Sequence, residues 1–339
     1  MKIKTLVGVI AGLSMLAAAC GDDDSAAESA SSIESQSATV TSETEPATTE
    51  PSATEPTTTE PATESASSMS SDSSAAPAPS AIISLSPTAT EMLYAIGAGD
   101  QVLAVDDFSN YPEEAAAKMQ GISGYEPNVE AIAGLEPDLI VTDGTNPDFL
   151  AQLDSLSIAH WEGNAAVSFD DIYTQIEQLG AATGHVAEAA ELVGRMQADI
   201  EAVVAELPVL ETPLTYYHEL DPTYFSVTSQ TFIGLVYQLA GLENIADAAA
   251  GEAGPYPQLT AEYIVAASPD LIFNACSKYC GETPETIAAR PGWDAIPAVI
   301  NGNVISVDDD IASRWGPRIV EYIQQVGAAV AVAAAQPVG

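Results

Sequence analysis

The reactive side chains of this chain limit the chemistry open to it. There are three cysteines, Cys20, Cys276 and Cys280, and three histidines, His160, His185 and His218. A zinc or manganese centre needs about three histidines and a carboxylate converging on one ion. The histidines here are scattered and none accompanies the cysteines, so neither a metal site nor a cofactor is expected. The chain has no G-x-S-x-G, no H-E-x-x-H and no Walker loop. Gly97-Ala98-Gly99 lacks the third glycine of a dinucleotide loop and follows a helical pattern rather than a strand. These residues describe a protein that binds rather than one that transforms. A hydrolase, a bare-metal receptor and a purely adhesive lipoprotein are the remote alternatives.

The N-terminus reads as an address. Lys2 and Lys4 precede an uncharged stretch from Leu6 to Ala19, too short to span a bilayer and suited to a signal segment over 1–19. Ala17-Ala18-Ala19-Cys20-Gly21 resembles a bacterial lipobox, which implies cleavage before Cys20 and lipidation of that residue. Residues 20–80 then form a tether of Ser, Thr, Glu, Pro and Ala, with no aromatic and no basic residue. Such a segment buries too little apolar surface to offset its chain entropy. The expected location is the extracytoplasmic face of the cell membrane, held by the lipid anchor only. In an exported protein, Cys276 and Cys280 are expected to form a disulfide, with two free thiols as the alternative.

Charge narrows the partners. Lys and Arg number 8 against 49 Asp and Glu, a formal net charge of −41. Such a chain repels phosphate backbones and anionic lipid surfaces, which excludes nucleic acid and a basic membrane patch. Beyond the tether the basic residues are Lys118, Arg195, Lys278, Arg290, Arg314 and Arg318.

These residues must be positioned by an α/β body. Apolar runs at 81–85, 102–105, 139–142 and 158–161 predict buried strands, alternating with helices at 88–96, 128–135, 147–156 and 169–183. The alternation resumes with strands at 214–218, 271–274 and 304–307 and helices at 231–240, 260–267 and 317–335. Between the two sets, apolar residues at 189, 193, 196, 200, 203 and 207 mark one helix face, and Pro208 ends it. The organisation expected is an N-terminal lobe over 81–184, a linking helix over 185–208 and a C-terminal lobe over 209–339, each lobe with a mostly parallel sheet.

An internal repeat supports two related lobes. Residues 128–142 align without gaps on 260–274, with Glu130/Glu262, Ile132/Ile264, Pro137/Pro269, Asp138/Asp270, Leu139/Leu271 and Ile140/Ile272 identical. Two such lobes leave a cleft between them, a usual place for a small ligand. On local grounds, Glu130 and Glu262 in the first turn of their helices stabilise the helix dipole.

Ile82-Ile83-Ser84-Leu85-Ser86-Pro87-Thr88-Ala89-Thr90-Glu91, Ser109-Asn110-Tyr111-Pro112 and Gly124-Tyr125-Glu126-Pro127-Asn128-Val129-Glu130 resemble the vitamin B12 and iron-siderophore class of ABC-importer substrate-binding lipoproteins. Tyr256-Pro257-Gln258-Leu259-Thr260-Ala261-Glu262 and Trp315-Gly316-Pro317-Arg318-Ile319 continue the resemblance, which runs from about residue 81 to 330. It implies a class III periplasmic-binding-protein-like fold, two α/β lobes joined by one long backbone helix. It also implies a monomer that delivers a metal chelate to an ABC permease and its ATPase.

The same resemblance implies roles for residues. Glu130 and Glu262, one per lobe, match the pair that docks on permease arginines. Tyr111, Tyr125 and Tyr256 match aromatic pocket walls, His218 and Tyr224 fall near another pocket segment, and Asp310 and Arg314 match the loop closing over the ligand. With so few cations, a triply anionic catecholate chelate is disfavoured. Cobalamin is the ligand expected first, with a ferric hydroxamate siderophore or haem as the alternative.

Overall fold

The computed structural model describes residues 77–251 and 254–336. Cys20, the expected signal segment and the tether up to residue 76 lie outside the described residues.

The N-terminal lobe runs β1 (Ile82–Ser84), α1 (Pro87–Ala95), β2 (Val102–Asp106), α2 (Glu113–Ala116), β3 (Met119–Ile122), α3 (Val129–Ala133), β4 (Leu139–Thr142), α4 (Pro147–Ser155), β5 (His160–Glu162) and α5 (Phe169–Thr183). Its five strands are ordered β3-β2-β1-β4-β5 and all pair in parallel. Helix α6 (Val186–Glu206) leads to the C-terminal lobe. There follow β6 (Thr215–Glu219), α7 (Phe232–Leu239), β7 (Glu243–Asn244), α8 (Ala261–Ala267), β8 (Leu271–Asn274), α9 (Pro284–Ala288), α10 (Pro297–Ile300), β9 (Val304–Ser306), α11 (Asp309–Ser313) and α12 (Ile319–Ala334). This sheet is ordered β7-β6-β8-β9, again all parallel.

Parallel strands are buried on both faces, and the side-chain period of two divides them between two cores. Ile82 and Val141 face one cluster, while Ile83 and Ile140 face another with Ile132 of α3 and Phe149 of α4. In the second lobe Tyr216 and Phe273 join the first cluster, while Tyr217 and Ile272 pack with Ile264 and Trp293 on the opposite face. The first cluster is therefore shared by both lobes, through α5, α6, α7 and α12.

The long linking helix is α6, roughly 31 Å over its 21 residues. Ala189, Val193, Met196 and Ile200 are buried along it, on the face that the apolar spacing marks. Its close fit on α5 requires Gly180, where a Cβ would fall 2.4 Å from the Ala189 Cβ. The repeat also has a structural reason. Each copy opens with a side-chain cap, Asn128 on the Ala131 N–H or Thr260 on the Tyr263 N–H. Each then turns through Pro-Asp into the strand beside the first strand of its sheet, β4 beside β1 and β8 beside β6.

Candidate functional site

Parallel sheets expose their ligand sites at the carboxyl ends of the strands, near the point where the strand order reverses. Here that point lies between β1 and β4 in one lobe and between β6 and β8 in the other. The segments that follow the neighbouring strands β2 and β9 meet. Asn110, after β2, donates from Nδ2 to Asp310 Oδ2 at 2.9 Å and accepts at Oδ1 from Arg314 Nη1 at 3.0 Å, both residues lying beyond β9.

Arg314 is the hub of this seam. Its guanidinium donates to Glu91 Oε1 on α1 at 2.8 Å, to the Phe108 carbonyl at 2.9 Å and to Asp310 Oδ1 at 2.8 Å. Arg318 grips the other edge of the same Glu91 carboxylate, at 2.8 Å to Oε2 and 2.5 Å to Oε1. Glu91 and Arg314 are 3% and 7% exposed, so the pair is desolvated and holds only because its hydrogen bonds are complete. Asp310 also takes Lys278 Nζ and the Tyr279 hydroxyl, the latter at 2.8 Å. Burial works to raise its pKa, but the bonds from Lys278 and Asn110 and the Arg314 charge outweigh that and hold it below the usual carboxylate value. At Asp106, at the end of β2, burial wins instead: it pushes the carboxyl up against the Ser109 hydrogen bonds and the Arg314 charge.

Tyr111 and Tyr125 border the seam through Arg318 and Phe108. Tyr111 is half exposed, with the Arg318 guanidinium 4.1 Å from its ring centroid. Tyr125 is 76% exposed and rests edge-on against Phe108 at 5.7 Å. Tyr256 is half exposed in a segment that pairs with the chain after β6, through Ser226 N–H to the Pro257 carbonyl and Thr228 N–H to the Pro255 carbonyl. Beside Tyr111 opens a groove of about 850 Å³, lined among others by Tyr94, Glu114, Lys118, Arg318 and Glu321.

Two expected pocket residues are placed otherwise. His218 is wholly buried in β6, its Nδ1 2.7 Å from the Tyr237 hydroxyl, and no ligand reaches it. Burial pushes its pKa down to about 3, so it stays neutral. It sits in the five-residue strand Thr215–Glu219, where Tyr216, Tyr217 and Glu219 on either side of it are buried as well. The Tyr224 ring is taken up by Trp293, stacked at 6.0 Å, and by Arg290 at 5.5 Å, so it serves the outer core of its lobe.

The remaining residues stand as follows. Glu130 and Glu262 are exposed in the first turns of α3 and α8, with no ion-pair partner among the described residues. Cys276 and Cys280 are joined as a disulfide, with a Cα separation of 5.1 Å. Among the described residues no group of three or more His, Cys, Asp or Glu could hold a metal ion, and no helix is long and apolar enough to cross a membrane. Sequence reasoning missed Asn110, Lys278 and Tyr279 as seam residues. It also missed Glu91, for which a signal existed: a carboxylate among Thr88, Ala89, Met92 and Leu93 must be buried and therefore paired.

Comparison with known proteins agrees with this architecture. A periplasmic binding protein family model matches residues 82–311. The uncharacterized ABC transporter substrate-binding lipoprotein YvrC of Bacillus subtilis (strain 168) is 30% identical over 260 residues, 74% of this chain and 80% of that protein. The vitamin B12-binding protein of Vibrio vulnificus (strain CMCP6) is 31% identical over 252 residues, 72% of this chain and 88% of that protein. The crystal structure of the periplasmic vitamin B12 binding protein BtuF of Vibrio cholerae superposes with a TM-score of 0.64 at 28% identity, covering 76% of this chain and 99% of that one. With two all-parallel α/β lobes, one long linking helix and a family match across most of its length, this chain belongs to the periplasmic binding protein family.

Proposed function

We propose that this protein is the extracytoplasmic substrate-binding component of an ABC importer, that it captures cobalamin between its lobes, and that it passes the ligand to a permease without changing it. The observation that carries the choice of ligand is the charge state of the seam. All six basic residues beyond the tether already have partners. Lys278, Arg314 and Arg318 are committed to Asp310 and Glu91, Arg290 to Glu219 and Glu282, Arg195 to Glu191, and Lys118 to the carbonyls of Gly99 and Val102. Freeing a guanidinium for an anionic chelate would strand Glu91 or Asp310 in a buried place. Tyr111, Tyr125 and Tyr256 meanwhile keep exposed rings suited to a large ligand with apolar faces. The vitamin B12-binding proteins among its relatives support the same reading.

In this reading Glu130 and Glu262 contact the permease, and Cys20 carries the lipid that keeps the protein at the outer face of the membrane. Calorimetric titration of the purified protein with cyanocobalamin, a ferric hydroxamate and haemin tests it. Saturable binding of cyanocobalamin, with neither of the others competing, is the expected result. Tight binding of the hydroxamate or haemin alone would make this an iron-uptake receptor.

A further inference from the structure

The loop after β8 is held by three sets of restraints. The Cys276–Cys280 disulfide closes it. Asn274 Oδ1 accepts from the Cys276 N–H at 3.0 Å, while its Nδ2 donates to the Glu282 carbonyl at 2.9 Å. The Asp309 carboxylate, at the start of α11, accepts from the N–H groups of Ser277, Lys278 and Tyr279 and from the Ser277 hydroxyl, at 2.9–3.0 Å.

The outcome of this bracing is the placement of one ring. The Tyr279 hydroxyl is fixed to Asp310 Oδ1 at 2.8 Å and lies 3.5 Å from Asn110 Nδ2 of the other lobe. Lys278 Nζ stands 5.3 Å from its centroid. Yet the side chain is 58% exposed. A phenol tethered at its tip, on a loop stapled at both ends, spans the seam with much of its ring bare to solvent.

We infer that Tyr279 is a ligand-contacting residue of the C-terminal lobe, and that the Cys276–Cys280 staple with Asp309 is its positioning device. The inference rests on the reading of the seam as the ligand site. Aromatic rings supply large contact area at little entropic cost, and a ring fixed before binding loses less on association. Tyr111 and Tyr125 present exposed rings from the N-terminal lobe. Tyr279 supplies a ring from the other side, with its hydroxyl already satisfied by Asp310, so the contact it offers is the ring and not the oxygen.

The test titrates the full chain with cyanocobalamin and compares Tyr279→Ala, Tyr279→Phe and the double variant Cys276→Ser/Cys280→Ser. Tyr279→Ala is expected to weaken binding by about tenfold or more, the effect of losing one well-placed aromatic anchor. Its melting temperature should stay near that of the wild type, since the ring is exposed. Tyr279→Phe should retain binding within about threefold. In the Cys276→Ser/Cys280→Ser background Tyr279→Ala should cost several-fold less, because the ring is no longer held in place. Wild-type binding with unchanged affinity in Tyr279→Ala overturns the contact and leaves the function reading standing. Equal losses from Tyr279→Ala in both backgrounds overturn the positioning role of the staple. A wild-type chain that does not bind cyanocobalamin overturns the function reading, and this contact with it.

Discussion

Glu91 and Arg314 are 223 residues apart in sequence and 2.8 Å apart in space, and they join α1 of one lobe to the short connection between α11 and α12 of the other. Arg318 completes the clamp on the same carboxylate. Because the first apolar cluster also runs through both lobes, the seam is fixed by packing on one side and by ion pairs on the other.

Removal of Glu91 should therefore be felt as lost stability. Glu91→Ala leaves two largely buried guanidiniums facing each other across an empty site. Breaking a buried pair in this way costs roughly 3–5 kcal/mol. For a body of this size the melting temperature should fall by on the order of 10 °C. Scanning calorimetry measures it. A fall of less than about 2 °C would mean that the clamp contributes little net stability.

The proposed docking role of Glu130 and Glu262 predicts the opposite separation of effects. Glu130 and Glu262 are exposed and without ion-pair partners among the described residues. Their replacement by Ala, singly or together, should change stability by no more than about 0.5 kcal/mol each and leave cyanocobalamin affinity unaltered. Uptake into cells carrying the cognate permease should be lost in the double variant and reduced in each single one. Loss of ligand affinity would place these carboxylates in the binding site instead.

Most strands and long helices were legible because burial writes itself into apolar periodicity. The run Leu139–Thr142 and the 4-3 spacing of α6 are the plainest cases. The sequence missed β3, an edge strand with Gln120 and Gly121 exposed, and β7, which has two residues. The repeat was visible, but its cause needed coordinates. Asp138 Oδ2 accepts from the N–H groups of Ser80 and Ala81 and from the Ser80 hydroxyl, and Asp270 Oδ2 accepts from Thr215 in the same way. Each fixes the entry of the first strand of its lobe. The clamp was illegible because its partners come from α1, the loop after β2 and the chain beyond β9, and no local pattern joins them.

His218 gives the fold an acid limit. In the unfolded chain its pKa is near 6.5, whereas in the core it is pushed down to about 3. Between those values the unfolded state binds a proton that the folded state refuses, so stability falls as pH drops from about 6.5 to 3. The full effect is on the order of 5 kcal/mol. Its neighbours Tyr237 and Tyr322 remain neutral, their hydroxyls pushed up by burial, and supply no opposing charge. Asp310, held below the usual value, acts in the same direction at lower pH, while Asp106 and Glu219, pushed up by burial, oppose it. His218→Gln should flatten the acid limb of a denaturation series run from pH 7 to pH 4. An unchanged limb would assign it to the carboxylates alone.

Salt should act in the opposite sense to its usual effect on ion pairs. Residues 81–339 carry 37 acidic and six basic side chains. With the few cations already taken, the remaining carboxylates repel one another across the surface, and folding draws them together. Raising the salt from 0.1 M to 1 M shortens the screening length from about 10 Å to about 3 Å. That weakens the repulsion while leaving the desolvated Glu91–Arg314 pair almost untouched. The melting temperature should rise by several degrees in sodium chloride. It should rise by a similar amount in Glu91→Ala, because the clamp is not the screened term. A melting temperature that falls with salt would mean that exposed ion pairs, rather than the excess of carboxylates, dominate the surface.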